Sequence, residues 1–332
     1  MQRNTDPNLS LISSQMMATN NRPSARRGPS GAWGRLRNNP VDALEAYGLP
    51  SKGETRVVGK RLHDLKAQES YYKKIVDRYM KFCAASGSGQ KLEEAFAALS
   101  ISQQQQQPST SLAKTSPAAL DVVATTPDRT AATAAQNQEL SLLLMAMRKL
   151  REAIVGSHRR DTFAARAYMF IIHASVLPRQ WESYHPALLY LLQTIHPRTP
   201  LSPPELQEFV SYLILDLACR QNRLNDAFAV KHRYRNRDRR VEIVLKALAH
   251  DDWVRFWRMR GKVDGYQRVL MGWMEEAMRV HALKCVGRSY MMADKAYVER
   301  TADARWEDLV KSGVGWELES NGTVTIRRPK AK

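Results

Sequence analysis

A chain of 332 residues with 51 Lys and Arg against 33 Asp and Glu, a formal net charge of +18, suits a polyanionic partner, either nucleic acid or an acidic protein surface. No run of about 18 apolar residues occurs, so no helical membrane span is expected. Three widely spaced cysteines, Cys83, Cys219 and Cys285, argue against a disulfide framework and for a reducing compartment.

Residues 1–40 are rich in Asn, Ser, Pro and Arg, with Asp6 as their one acid, and bury too little apolar surface to offset the entropy of ordering; a disordered basic tail is expected. They contain no compact apolar core of the kind a secretory signal needs, while their composition leaves a mitochondrial transit peptide open. Over 41–100 a helical segment is expected, clearest in "ETRVVGKRLHDLKAQESYYKKIVDRYMKFCAAS" and followed after "GSGQ" by "LEEAFAALS". Residues 101–138 are Gln/Ser/Thr/Ala-rich without a period and read as a low-complexity linker.

From 139 to 283 helical patterns follow one another with short joints. "DTFAARAYMFIIHASVL" puts Phe163, Ala167, Phe170, Ile171 and Ala174 on one face. "PALLYLLQTIH" is expected to open on Pro186, in its first turn, and to stop at Pro197. "SPPELQEFVSYLILDLACRQN" carries a stripe of Leu206, Phe209, Val210, Leu213 and Leu217. "DRRVEIVLKALAH" repeats it with Val241, Val244, Leu245 and Leu248, and "DDWVRFWRMRGKV" with Trp253, Phe256 and Trp257. "DGYQRVLMGWMEEAMRVHALKCVGRSY" reads as one long helix carrying Tyr266, Val269, Leu270, Trp273, Ala277 and Val280. Such helices imply a mainly α fold, an irregular TPR-like stack of antiparallel hairpins, whose last helix needs a cap.

Residues 284–330 have the order of a winged helix-turn-helix with a C-terminal β-hairpin. Asp294 is placed to cap "KAYVERTA"; "ADARWEDLVKSG" follows, with Trp306, Leu309 and Val310 facing one way and Gly313 as its stop. In "GWELESNGTVTIRRPK" a two-residue Asn321-Gly322 loop would aim the apolar faces oppositely. A three-residue loop, Ser320-Asn321-Gly322, sets Leu318 opposite Val324 and Trp316 opposite Ile326, so a type I turn with Gly322 left-handed in a G1 bulge is expected. The expected core of this module is Trp306, Leu309, Val310, Trp316, Leu318, Val324 and Ile326, with the wing residues closing the helical stack.

Helical hairpins ending in a winged helix resemble PCI domains, the scaffold modules of the proteasome lid, the signalosome and translation initiation factor 3. "VLKALAHDDWVRFWRMRGKVDGYQRVLMGWMEEAMRVHALKCVGRSY" is similar to the branch shared by GANP-type mRNA-export proteins and the small PCI subunits. There an aromatic W-x-x-F-W helix, here Trp253, Phe256 and Trp257, leads to a long helix ending R-x-x-A-L-K, here Arg279, Ala282, Leu283 and Lys284. The upstream stretches "MRKLREAIVGSHRRDTFAARAYMFIIHAS", "WESYHPALLYLL" and "LDLACRQNRLNDAFA" resemble the preceding helices of fungal members. A copy of the export proteins' K-S-I-R-Q-D-L segment is absent, which leaves the small lid or signalosome branch equally open. The resemblance implies a non-catalytic subunit partnered by other PCI-type or helical subunits, in nucleus or cytoplasm, with no membrane, small-molecule substrate or cofactor.

The residues themselves point the same way on chemistry. His281 and Cys285, one helical turn apart, lack the second pair a zinc site needs and read as a packing pair. His250-Asp251-Asp252 reads as a helix end followed by an Asp cap. No nucleophile elbow, phosphate-cradling Gly loop or H-E-x-x-H occurs, so no enzyme is expected. The aromatic spacing of Trp253, Trp257, Trp273 and Trp306 favours core packing over base stacking. The sharpest local signal is "KHRYRNRDRR". Arginines at every second position cannot share a helical face at about 100° per residue, so the run is expected to join two helices, Asp238 capping the second. Its Lys231, Arg233, Arg235, Arg237, Arg239 and Arg240, with Arg305, Lys311, Arg327, Arg328 and Lys330, are the candidate contacts to an acidic partner or, as the alternative, to RNA or DNA.

Overall fold

The computed structural model describes residues 61–86 and 127–327. The basic tail, the rest of the N-terminal segment including "LEEAFAALS", the linker over 101–126, and Arg328 and Lys330 lie outside the described residues. Those described are mainly helical, with twelve α-helices and one three-stranded sheet.

A 3-10 turn, Arg61–His63, leads into α1, Leu65–Ser86, whose Tyr71, Ile75, Tyr79 and Phe82 form the buried stripe that its periodicity dictates. The stripe packs on α2, Pro127–Gly156, through Leu140, Leu143, Met147, Leu150 and Ile154. The two run antiparallel: Gln68 near the start of α1 donates to the carbonyl of Ala153 at 3.2 Å, while Arg78 further along donates to Glu139 Oε2 at 2.7 Å. Helix α2 begins inside the stretch read as linker. Pro127 sits at its first position, where the missing N–H costs nothing, and the Ala-rich turns have the highest helix propensity yet no apolar period to reveal them.

Asp161 caps α3, Thr162–Val176, accepting from Ala164 N at 2.9 Å. Helix α4, Trp181–Tyr190, starts well before Pro186, correcting the expectation that this proline opens it. Lying inside the helix, Pro186 withholds the N–H that would have bonded Glu182. The helix runs on through a π turn, Leu191–Ile195.

Helix α5, Pro203–Leu215, starts with Glu205 Oε2 accepting from Ser202 N at 3.0 Å and from its Oγ at 2.7 Å, and continues as a π turn, Asp216–Arg220. Instead of one stripe, every residue from Phe209 to Cys219 is buried, which makes α5 the central element of the main core. Helices α6, Leu224–Arg233, α7, Arg239–Ala249, and α8, Trp253–Arg260, follow.

The long helix expected next is two: α9, Gly265–Met271, and α10, Glu275–Ser289. Between them the bonds tighten to the i→i+3 kind, Gly272 N to Val269 O and Met274 N to Met271 O at 3.2 and 2.9 Å. The break rotates the face of α10, which buries Met278, Ala282 and Val286 and leaves Ala277 and Val280 outside. A Cβ on Gly272 would stand 2.3 Å from an Arg179 guanidinium nitrogen, so glycine makes room for that side chain at the break.

After α10 come β1, Met292–Asp294, α11, Lys295–Ala302, α12, Trp306–Lys311, β2, Glu317–Leu318, and β3, Thr323–Thr325. The sheet order is β1-β3-β2, with both pairings antiparallel. The sequence does not announce β1, whose three residues are too few for a period. Asp294 stands at the N-cap of α11 as expected, without a side-chain cap bond. Gly313, at φ +96°, ends α12 in a Schellman motif: Val314 N bonds Leu309 O and Gly313 N bonds Val310 O, at 3.1 and 3.0 Å. The hairpin has the bulged register derived above, with Leu318 opposite Val324, Gly322 at φ +83°, and Gly322 N bonding Glu319 O at 3.1 Å. The ladder stops at Glu317 and Thr325, so Trp316 and Ile326 do not pair as strand residues.

Val298, Ala302, Trp306, Leu309 and Val324 form a second, smaller core, joined by the half-buried Trp316 and Ile326. Two expected members are outside it, Val310 at 48% exposure and Leu318 at 41%. Val310 is turned about 100° from Leu309 on a helix with one buried side. Leu318 lies on a two-residue edge strand, both residues exposed, while its partner Val324 in the central strand is buried.

Candidate partner interface

The C-terminal module is seated on the helical body through the end of α11. Its last carbonyls have no intrahelical donors, and α8 and α10 supply them: Trp257 Nε1 donates to Thr301 O and Arg279 Nε to Ala302 O, both at 3.1 Å. Arg260 adds a charged bond to Asp303 Oδ2 at 3.0 Å, where Asp303 turns the chain at φ +48°. The hairpin residues divide between the small core and the body. Trp316, Val324 and Ile326 serve the small core, and Trp316 also packs against α10, where a Cβ on Gly287 would come within 3.3 Å of its ring.

This seating leaves much of the module's apolar surface open. Of twelve large hydrophobic residues exposed among the described residues, six fall between 280 and 318: Val280, Tyr290, Met291, Met292, Val310 and Leu318. Three of these, Tyr290, Met291 and Met292, are consecutive and lead from the end of α10 into β1. A cleft of about 390 Å³ between α10 and the α12–β2 connection is floored by Leu283, Gly287, Val314 and Trp316, with Arg279 and Lys284 among its charged lining residues. Helix α12 carries Glu307 and Asp308 in its first turn, with Lys295 Nζ 3.5 Å from Glu307 and Lys311 Nζ 3.8 Å from Asp308. Arg305, at the N-cap of α12, and Arg327, whose N–H bonds Met291 O at 3.1 Å, are exposed.

Residues 234–238, the middle of the basic run, are the joint foreseen, while Lys231 and Arg233 fall in the last turn of α6 and Arg239 and Arg240 open α7, with Asp238 Oδ1 accepting from Arg240 N at 2.9 Å. The joint is tied to α5. Buried Asn236 donates from Nδ2 to Gln207 O at 3.2 Å and to Ser211 Oγ at 3.0 Å, and Arg237 N donates to Gln207 Oε1 at 2.8 Å. Two of the six cations are engaged internally, Lys231 with Glu242 at 3.7 Å and Arg240 with Asp238 at 3.2 Å. Arg233 lies over the Tyr234 ring at 5.6 Å, and Arg233, Arg235, Arg237 and Arg239 are exposed with no acidic partner among the described residues.

Two polar networks, one fully buried and one partly exposed, missed by the sequence reading, tie helices of the body together. Asp216 is fully buried at the start of the π turn; it accepts from Tyr184 Oη at 2.7 Å, Arg220 Nε at 2.6 Å and Nη2 at 2.8 Å, and Gln221 Nε2 at 2.8 Å. Burial alone would raise its pKa, but contacts from His185, Arg220, Tyr184 and Gln221 outweigh that and hold the carboxyl far below the usual range. The signal that could have flagged it is an acid four residues before an arginine inside the apolar run "YLILDLACR". In the second network Glu208 Oε1 lies 2.8 Å from His173 Nε2 and accepts from Tyr212 Oη at 2.7 Å, and the His173 bond, chiefly, depresses the Glu208 pKa.

His281 Nε2 lies 3.5 Å from Cys285 Sγ with the Trp253 ring beside it, and no group of three or more His, Cys, Asp or Glu able to hold a metal exists among the described residues. Asp252 caps α8, accepting from Arg255 N at 2.9 Å, as read. No helix among the described residues is long and apolar enough to cross a membrane. No protein-family model matches the chain, and no curated protein matches it.

Proposed function

We propose that the chain is a non-catalytic assembly subunit. In this reading residues 284–327, from the last turns of α10 to the end of the hairpin, form a winged helix-turn-helix seated on an irregular, TPR-like stack of helical hairpins, the PCI layout. The subunit joins a multiprotein complex of the proteasome-lid, signalosome, initiation-factor or mRNA-export kind through that module. The order helix, strand, helix, helix, strand, strand with β3 central is what supports the winged-helix assignment.

The observation that carries the function is the concentration of exposed large apolar residues on this small module, five of the twelve among the described residues, beside two sheet edges. A partner strand added to β1 or β2 would gain main-chain hydrogen bonds while covering Met291 and Met292 or Leu318. Helix α12, the one a DNA-reading winged helix lays in the major groove, carries two acids in its first turn and an exposed valine. Its chemistry favours a protein partner.

The test is affinity purification of the full-length chain from native cells with residue-level cross-linking. Helical subunits should co-purify, with cross-links on Lys284, Lys295 and Lys311, and Met292→Asp with Leu318→Asp should release them without unfolding the chain. A chain recovered alone, or cross-links confined to α1–α4, would refute the assignment.

A further inference from the structure

We infer a second, separate interaction surface: the α6–α7 joint is a phosphate-backbone site for single-stranded RNA, gripped by Arg233, Arg235, Arg237 and Arg239. The observation behind it is the way these arginines are mounted. A solvated connector needs no anchoring, yet this one is held to α5 by buried Asn236 and by the Gln207 side chain. Arg235 sits at φ +49°, the left-handed region that a non-glycine residue adopts at a cost. Anchored this way, the joint carries guanidinium groups whose local acids, Asp238 and Glu242, are already bound by Arg240, Lys231 and Lys246. The four remaining arginines have their charge free for a partner.

The surroundings separate phosphate from an acidic protein. Protein interfaces are anchored by exposed apolar or aromatic residues. None of the large hydrophobic residues exposed among the described residues lies between Trp181 and Val254, so the neighbouring sequence offers no such anchor. Tyr234 is half-buried and faces the guanidinium of Arg233. Guanidinium groups suit phosphate oxygens and carry no sequence code unless they reach base edges, so binding here is tolerant of sequence. A five-residue joint is too short to enter a duplex groove as a helix or ribbon, which favours the single-stranded form.

The experiment uses the full-length chain and a fluorescent single-stranded oligouridylate, with binding read by anisotropy from about 50 to 200 mM salt. Four phosphate contacts contribute about −3 to the slope of log affinity against log salt. The variant R233Q/R235Q/R237Q/R239Q should flatten the slope by about that amount. A charge-matched control, R148Q/R160Q/R198Q/R258Q, removes four exposed arginines elsewhere and should change it by less than about one unit. Circular dichroism must report both variants as folded. Equal losses in the two variants would overturn the site as a general charge effect, and an unchanged slope in the joint variant would overturn it directly. Binding of a polyglutamate peptide that oligouridylate fails to displace would assign the surface to an acidic protein instead.

Discussion

Replacing Asp216 by asparagine tests whether the network at the start of the π turn holds α4 to α5. The carboxylate is fully buried and receives four hydrogen bonds, two from one guanidinium. Asparagine keeps the shape but leaves Arg220, stacked over Trp181 at 4.9 Å, without a counter-charge. Removing one partner of a buried pair costs about 3–5 kcal/mol, and asparagine should lie near the lower figure because its oxygen still accepts. A loss of about 3 kcal/mol lowers the melting temperature of a domain this size by about 6–12 °C. The pH dependence gives an independent sign. A carboxyl whose folded pKa is depressed contributes stability above its unfolded value, about 3.9, and loses it as pH falls toward the folded value. The gap between wild type and variant in urea titrations should therefore be full at pH 7 and narrower by about 1 kcal/mol at pH 3. A gap under about 1 kcal/mol at neutral pH, or one that widens on acidification, would refute the reasoning.

Trp257→Phe removes the indole donor to Thr301 and should cost about 1 kcal/mol, with amide exchange rising from α11 to β3 while α3 and α5 stay protected. Leu309→Ala, in the small core, should lose about 2–5 kcal/mol, whereas the exposed Val310→Ala should stay within about 0.5 kcal/mol; thermal melts compare the two. Gly322→Ala forces a Cβ into the left-handed turn and should cost about 1–2 kcal/mol, with Gly322→Asn milder by the same measurement.

What near neighbours dictate was readable from the chain alone. Helix stripes such as Val241, Val244 and Leu245, the cap at Asp238, the stop at Gly313 and the bulged register at Gly322 depend on residues only a few positions apart, through periodicity, capping and turn geometry. The arginine joint was legible for the same reason, since its alternate spacing contradicts a helical face. Tertiary structure alone decided the rest. The break at Gly272 makes room for Arg179 from another helix, and β1 exists because β3, more than 25 residues later, offers it a partner. Asp216 is tolerable in the core because Tyr184, 32 residues earlier, reaches it beside the local Arg220, and Val310 and Leu318 stay in solvent because the small core has nothing to set over them. Local preference sets what a segment can become, but burial, pairing and charge compensation are shared between residues distant in sequence, and only the folded chain brings those residues together.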